Sequence, residues 1–479
     1  MQNLEPKIVW NHFYDITRIP RPSKREDKIR AFIQEFGQNL GFETKVDEAG
    51  NVLIIKPATK GFENKKTIVL QAHMDMVCEK NKGIEHDFDN DPIETYIDGG
   101  WLKAKGTTLG ADNGIGMALM MAVLTSTDAK HPKLECLFTT DEETGLTGAF
   151  ALDDKLLRGD ILINLDSEDD GEIFVGCAGG IDTTIIYQYK PEKTPKGYFN
   201  FSINVSGLLG GHSGDDINKG RANANKLLNR FLWTLRREMD LRLVSIEGGN
   251  LHNAIPREAN AIASVPFNEK ENVRIIFNRV VAEIEEEIGE VETQARFALK
   301  SEGEFDEVFT SEDTEKLLNA LYACPNGVIA MSEELEGLVE TSTNLASIKM
   351  KDYSVHIVTS QRSSVETAKY IIAQQIESIF ELAGAIVTHG DGYPGWNPNL
   401  NSHILEVASK SYEKLFAVKP AVKAIHAGLE CGLFLKKYPH LDMISIGPTM
   451  RGVHSPDERL EISTVGKAWE WLVDILASA

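Results

Sequence analysis

Cysteine is scarce in this chain: five residues, Cys78, Cys136, Cys177, Cys324 and Cys431, scattered and odd in number. No two of them form a C-x-x-C pair, which excludes a zinc ribbon or a disulfide framework and points to a reducing compartment. Positive charge is short as well, with 50 Lys and Arg against 72 Asp and Glu, a formal net charge of −22. That balance argues against nucleic acid or an anionic membrane as a partner, because both need local positive charge. Long apolar runs are missing too. The longest lies around Met117 to Leu124, far below the roughly 20 residues of a membrane span. The first twelve residues contain no apolar h-region, so a signal peptide is not expected and a cytoplasmic location is. There is no internal repeat and no low-complexity tract.

What is present is ordinary globular composition, 42% hydrophobic and 25% charged over 479 residues. That length allows roughly three domain-sized units, or two larger ones. A surplus of carboxylates also suits divalent cations.

The first third alternates helix and strand patterns. Lys28 to Leu40 places Ile29, Phe32, Ile33, Phe36 and Leu40 at helical spacing. Short aliphatic runs at 51–56, 67–70, 134–139 and 160–165 read as strands, and 113–125 reads as a buried helix. After Gly179-Gly180 the texture changes. Residues 183–189 and 198–205 alternate like half-buried strands, and a long helix is expected over about 221–239. An acidic helix pattern at 283–287 and two strand-like runs within 345–359 follow. An amphipathic helix over 365–383 is expected to turn Ile371, Ile372, Ile376 and Ile379 inward. A Gly- and Pro-rich loop from Gly390 to Pro398 returns the chain to helix (404–416) and buried strand (443–446). The fold class expected is α/β: a catalytic domain with a mixed sheet flanked by helices, interrupted by an inserted α+β domain. The expected boundaries are 1–182 and 391–479 for the two parts of the catalytic domain, and 183–390 for the insert.

Five segments concentrate metal-type ligands, each where a strand or turn gives way to a loop. In Gln71-Ala-His73-Met-Asp75, the H-x-D spacing puts both side chains on one side of a strand end. The carboxylate can then take the second N–H of the imidazole and fix its tautomer. The Gly-rich segment 106–116 holds Asp112 before a helix, as an N-cap or as a ligand. Phosphate cradling is set aside, because the Lys-Ser/Thr of a P-loop is missing and the glycines follow no dinucleotide fingerprint. Asp141-Glu142-Glu143 closes a buried strand, and three adjacent carboxylates there call for solvent or a cation. One Glu could bind metal while its neighbour acts as general base. Asp166 follows a fourth apolar strand, and His454 lies in a Gly/Pro-bounded loop near the C-terminus. Two His and three carboxylates, one of them shared, make a sensible dinuclear zinc set at the carboxyl edge of an α/β sheet.

These segments resemble the co-catalytic zinc peptidases related to carboxypeptidase G and the desuccinylases. More closely they are similar to the bacterial aminoacyl-histidine (Xaa-His, carnosinase-like) dipeptidases. The matching motifs are QAHMDMVCEKN, GTTLGADNGIG, TTDEETGLTGA, NLDSED, GGHSGDDINKGRANAN, the Tyr393-Pro-Gly-Trp396 loop, HAGLECG and GPTMRGVHSPDE, in order from Gln71 to Glu458. The resemblance implies two zinc ions per subunit, with manganese or cobalt as substitutes. His73 and Asp166 would hold one ion, Glu143 and His454 the other, and Asp112 both. It implies Asp75 orienting His73, Glu142 as general base on metal-activated water, and a cis peptide after Asp112.

The inserted domain is implied to be a lid and dimerisation domain that sends His212 into the active site of a partner subunit. Asn253, Arg362 and the backbone at Gly428 would hold the C-terminal carboxylate of a dipeptide, Arg by its planar fork. His426 and Glu430 sit in the same stretch with roles left open. The implied activity is hydrolysis of Xaa-His dipeptides, including β-Ala-His. The alternatives are a related zinc hydrolase acting on tripeptides or N-acyl amino acids, and a catalytically silent peptide-binding protein of the same fold.

Overall fold

The computed structural model describes Met1 and residues 3–479, and it divides into two compact units. The first comprises residues 1–177, 396–424 and 429–479; the second comprises 178–395 and 425–428.

The first unit is built on a mixed sheet. Its strands run in the order Glu43–Val46, Val52–Lys56, Leu134–Thr139, Ile68–His73, Ile161–Asn164, Asp442–Ser445, Glu172–Cys177, ending with the strand that begins at Ala421. Ile68–His73 is parallel to both neighbours, and Asp442–Ser445 is parallel to Ile161–Asn164. Every residue of Ile68–His73, Leu134–Thr139 and Ile161–Asn164 is buried. Parallel strands covered on both faces need such unbroken apolar runs rather than alternation.

The covering helices include Lys7–Thr17, Ala111–Thr125 and Ile462–Ser478, which pack Trp10, Phe13, Met117, Met120, Trp471 and Leu472 into one core. Ala111–Thr125 buries all of 113–124, which is why its sequence is apolar all round. Gly110, just before it, has φ +68°, and a Cβ there would lie 2.5 Å from an Arg21 nitrogen and 2.7 Å from Met76 Sδ. Only glycine fits that approach. The Asp112–Asn113 peptide is cis.

Register decides where the chemistry emerges. His73 pairs with Thr139, and Asn164 pairs with both Gln71 and Ser445. The parallel strands therefore end flush, and the turns after them (Met74–Asp75, Thr140–Glu143, Leu165–Asp166) leave from one edge of the sheet. Such carboxyl edges are where open α/β sheets hold ligands.

The second unit has a large antiparallel sheet in the order Arg296–Ser301, Tyr198–Ser206, Ala259–Pro266, Arg242–Gly248, Val339–Lys351, Ser354–Ser363, Gly179–Gln188, Ile386–His389, with Gly327–Met331 pairing Val339–Lys351 off that path. The helices Ala224–Glu238, Lys270–Ile288, Ser311–Ala323 and Glu366–Ala383 bury their apolar stripes in a core with Phe231, Phe277, Phe309 and Phe380. The acidic pattern at 283–287 is the end of the 19-residue helix Lys270–Ile288. One inward assignment and one helix end are corrected. Ile371 is 60% exposed while Ile372 is buried, and Leu40 is 36% exposed as the residue capping Asp27–Asn39. The stripe of Glu366–Ala383 is narrower than the sequence pattern, and the earlier helix ends one residue before Leu40. Among the described residues no helix is long and apolar enough to cross a membrane.

Candidate functional site

Five loop ends of the first unit converge. His73 Nε2 lies 3.0 Å from Asp112 Oδ1 and 3.4 Å from Asp166 Oδ1. His454 Nε2 lies 3.1 Å from Asp112 Oδ2 and 3.0 Å from Glu143 Oε2. The Asp112 carboxylate thus presents one oxygen to each histidine. Two groups of three donors result, His73–Asp112–Asp166 and Asp112–Glu143–His454, each with its ligand atoms within 4.8 Å of one another.

Asp75 organises the approach from below. Its Oδ1 lies 3.3 Å from His73 Nδ1, within ion-pair range, and accepts the Glu142 N–H at 3.0 Å. Its Oδ2 accepts the Glu143 N–H at 3.2 Å and the Ser23 hydroxyl at 2.8 Å. One buried carboxylate therefore fixes a histidine and the turn that carries two glutamates. Glu142 is half-buried beside this group and belongs, with His73 and Glu143, to a third set of neighbouring donors.

The electrostatics are those of crowded acids. Burial, and then the neighbouring Asp166, Glu143 and Glu430, push Glu142 well above the usual carboxylate range, although His73 works the other way. Burial also raises Asp166, against the pull of His73. Asp112 goes down instead: burial opposes its charge, but hydrogen bonds from His454 and His73 outweigh it. His73 is raised although burial opposes its charge, because Asp166, Asp112 and Asp75 surround it. Glu143 Oε1 and Asp166 Oδ1 are buried without a hydrogen-bond partner. Buried anions are costly unless paired or bound to metal. Imidazole nitrogen and carboxylate oxygen together are the donor set of zinc and its neighbours in the transition series. The residues present fit two divalent cations sharing Asp112.

A second cluster lies within the other unit. His212 pairs with Ala254 across a short antiparallel bridge, and the Ser213 N–H donates to the Asn253 carbonyl at 2.9 Å. His212 Nδ1 accepts the N–H groups of Gly214 and Asp215 at 3.3 and 3.2 Å. The ring proton of the neutral imidazole therefore sits on Nε2, which is left as a donor. Burial, and then the Arg362 charge, lower the pKa of His212, against the pull of Asp215 and Asp216.

Arg362 is buried; its Nη1 donates to the Tyr393 hydroxyl at 2.9 Å, and its Nε has no partner. A cavity of about 300 Å³ is lined by Asn253, Arg362, Tyr393, Asp182 and His252. Gly428 lies against the Tyr393 ring, where a Cβ would come within 2.7 Å of Cε2. His426 bonds the Ser342 hydroxyl through Nε2 at 2.7 Å. The structure thus gathers His212, Asn253, Arg362 and Gly428 in one unit, and His73, Asp75, Asp112, Glu142, Glu143, Asp166 and His454 in the other.

Around the first cluster, sequence reading passed over Arg21 and left the role of Glu430 open. Arg21 is buried and donates to the carbonyls of Met74, Asp75 and Gly110. In the sequence it stands between two prolines in a basic stretch that reads as surface loop. Glu430 is buried with its Oε2 accepting from Gln71 at 2.6 Å and Thr139 at 2.9 Å. Burial raises its pKa to about 8. In the sequence it closes the HAGLECG motif's Leu-Glu pair and opens the short helix Glu430–Lys437, which says nothing of its burial.

The chain matches the sequence profile of Peptidase family M20/M25/M40 over residues 69–478. It is 44% identical over 476 residues to the cytosol non-specific dipeptidase of Escherichia coli strain K12, covering 99% of this chain and 98% of that one. Among solved structures, the aminoacylhistidine dipeptidase from Vibrio alginolyticus superposes with a TM-score of 0.93 at 45% identity, covering 99% of this chain and 97% of the other. The aminopeptidase PepT from Bacillus cereus shares the fold, with a TM-score of 0.57 at 17% identity and 99% of both chains covered.

Proposed function

The chain belongs to peptidase family M20/M25/M40, and we propose that it is a dinuclear-zinc dipeptidase that hydrolyses Xaa-His dipeptides, β-Ala-His among them. The observation that carries this reading is the Asp112 carboxylate, one oxygen 3.0 Å from His73 and the other 3.1 Å from His454. A carboxylate so divided is placed to serve two cations at once. His73 and Asp166 would complete one site, Glu143 and His454 the other. Zinc held there would supply Lewis acidity to a peptide carbonyl and make water a better acid; manganese or cobalt would suit the same donors.

The side chains account for the rest of the reaction. Glu142 takes a proton from the attacking water and passes it to the leaving amine, so one carboxyl group serves both halves of the hydrolysis. Asp75 holds the Glu142 and Glu143 amides and keeps His73 in place. His212 offers its Nε2–H to the oxyanion that forms at the carbonyl, a contribution of roughly 3 kcal/mol for one such donor. Asn253, Arg362 and the Gly428 backbone take the C-terminal carboxylate of the substrate; the unpartnered Arg362 Nε beside the cavity supports this. The second unit acts as lid and dimerisation domain, with His212 serving the site of a second copy in a homodimer.

Dipeptides as the substrate class are supported by both similar proteins, which are named for them. A cytoplasmic location is supported by the name of the Escherichia coli protein. That name also says non-specific, which favours a range wider than histidine at the second position.

The test is hydrolysis of a panel of β-Ala-His, other Xaa-His and non-histidine dipeptides, tripeptides and N-acyl amino acids. Metal-depleted protein is assayed before and after adding zinc, manganese or cobalt. Cleavage restored by metal and confined to dipeptides is expected. Restoration only on tripeptides or acyl amides would move the substrate class, and two bound equivalents without any cleavage would favour a silent binding protein.

A further inference from the structure

Glu458 is 2% exposed and has no part in the reaction described above. Its Oε2 accepts the N–H groups of Leu109 and Gly110 at 2.7 and 2.9 Å, and its Oε1 accepts those of Ala111 and Asp112 at 2.7 and 3.3 Å. These four amides line the turn that leads through Gly110 into the helix Ala111–Thr125, where Asp112 itself departs from helical φ/ψ, so the carboxylate satisfies buried donors that the helix does not pair. Arg21 grips the same loop by the Gly110 carbonyl. The backbone that carries Asp112 is thus clamped by an anion at its amides and by a cation at a carbonyl.

Four residues before Glu458 stands His454, in the left-handed region at φ +61° and with a half-exposed side chain. Its loop closes the hairpin in which Met450 pairs Leu460 and Arg451 pairs Arg459; Met450 and Leu460 are buried, Val453 packs on the core, and 451, 452, 454 and 457 are exposed. Glu458 is a buried tie between the loop of His454 and the backbone of Asp112. Glu143 is fixed separately, by its amide on Asp75. In the other donor group, His73 and Asp166 stand at the ends of paired parallel strands and depend on Glu458 only through Asp112.

We propose that Glu458 is a positioning residue that sets the spacing of Asp112 and His454, and that it thereby governs cation binding at Asp112–Glu143–His454 while leaving His73–Asp112–Asp166 largely intact. The inference rests on the two-cation reading of these groups.

Glu458→Gln keeps the shape but loses the charge and turns an amide N–H₂ towards backbone N–H groups. Metal-depleted full-length protein is titrated with zinc by calorimetry and with cobalt by its d–d absorption. Wild type is expected to bind two equivalents. The Gln variant should hold one within about threefold of wild-type affinity and bind the second at least about tenfold more weakly, the range typical of lost outer-shell partners. Glu458→Asp, which keeps the charge at shorter reach, should fall between them and serves if the Gln variant does not fold. In a His454→Ala background, which has one site only, adding Glu458→Gln should change the remaining affinity by less than about threefold. Two equivalents at wild-type affinity, or equal weakening of both, would overturn the positioning role. A wild-type protein that binds no metal would overturn the two-cation reading itself, and the proposal with it.

Discussion

The Asp75 carboxylate accepts the backbone N–H of Glu142 at 3.0 Å, so the residue that steadies His73 also sets the turn on which the proposed base is carried. Asp75 is fully buried, and its other oxygen is taken by Ser23 and the Glu143 amide. Asp75→Asn would present an N–H₂ group to donors that need an acceptor. We expect activity or zinc affinity to fall about 10–100-fold with the fold kept. The measurement is kcat/KM beside a zinc titration and circular dichroism; unchanged values of both would remove Asp75 from the machinery.

Glu142 belongs to neither of the two groups that share Asp112. Glu142→Ala should therefore keep two equivalents of zinc while turnover falls by a factor of about 10²–10⁴, the usual share of a general acid–base. Metal analysis and initial rates on one dipeptide decide it. Wild-type activity would refute the base assignment, and loss of one equivalent would make Glu142 a ligand.

If His212 serves a second copy, two inactive proteins should rescue each other. Equal amounts of Glu142→Ala and His212→Ala, exchanged to equilibrium, give mixed dimers with one intact composite site. Random pairing predicts about a quarter of the wild-type rate. No rescue despite demonstrated exchange would place His212 in its own subunit's chemistry or outside it.

His12 offers a pH test remote from the catalytic residues. Its Nε2 bonds the Thr125 hydroxyl at 3.1 Å, its ring meets Phe36 edge-on, and burial lowers its pKa to about 4. A histidine held neutral in the fold binds its proton first in the unfolded chain. Its stabilising contribution is thus complete above an unfolded pKa of about 6.5 and is lost as pH falls towards 4, at up to about 1.4 kcal/mol per pH unit. Denaturant unfolding of wild type and His12→Gln between pH 7 and 4 should show wild type losing the more stability. Parallel curves would contradict this.

His73, Glu143 and Asp166 were legible as strand-end residues, because each stands at or just beyond a short buried strand whose parallel pairing carries its end to one edge; Asp112 and His454 lie in Gly-bounded turns and were picked out by residue type alone. Leu134–Thr139 agrees with the expected strand residue for residue. The antiparallel strands Arg242–Gly248 and Ala259–Pro266 were not legible. The first mixes Arg, Ser and Glu with apolar residues, and the second is largely Ala, Asn and Ser, which carry little strand propensity. Arg21 and Glu458 escaped for another reason. A charged side chain that bonds only to backbone leaves no partner in the sequence to pair it with. Ile371 was misread because four isoleucines at helical spacing suggest a wider apolar face than Glu366–Ala383 buries.

The strand Asp442–Ser445 lies between Ile161–Asn164 and Glu172–Cys177 in the sheet of the first unit. During synthesis, the two flanking strands leave the ribosome with the slot between them empty, and its occupant arrives about 265 residues later, on the order of ten seconds to a minute at 5–20 residues per second. Residues 178–395, which make up nearly all of the second unit, emerge during that interval. The order of assembly is thus inverted with respect to the N-terminus: the insert has nearly its whole chain available while Ile161–Asn164 still lacks one neighbour and Glu172–Cys177 lacks both, its other partner beginning only at Ala421. Such edges template intermolecular pairing, so truncation between Cys177 and Asp442 leaves both flanking strands without their shared partner, and aggregation rather than partial activity is the expected outcome.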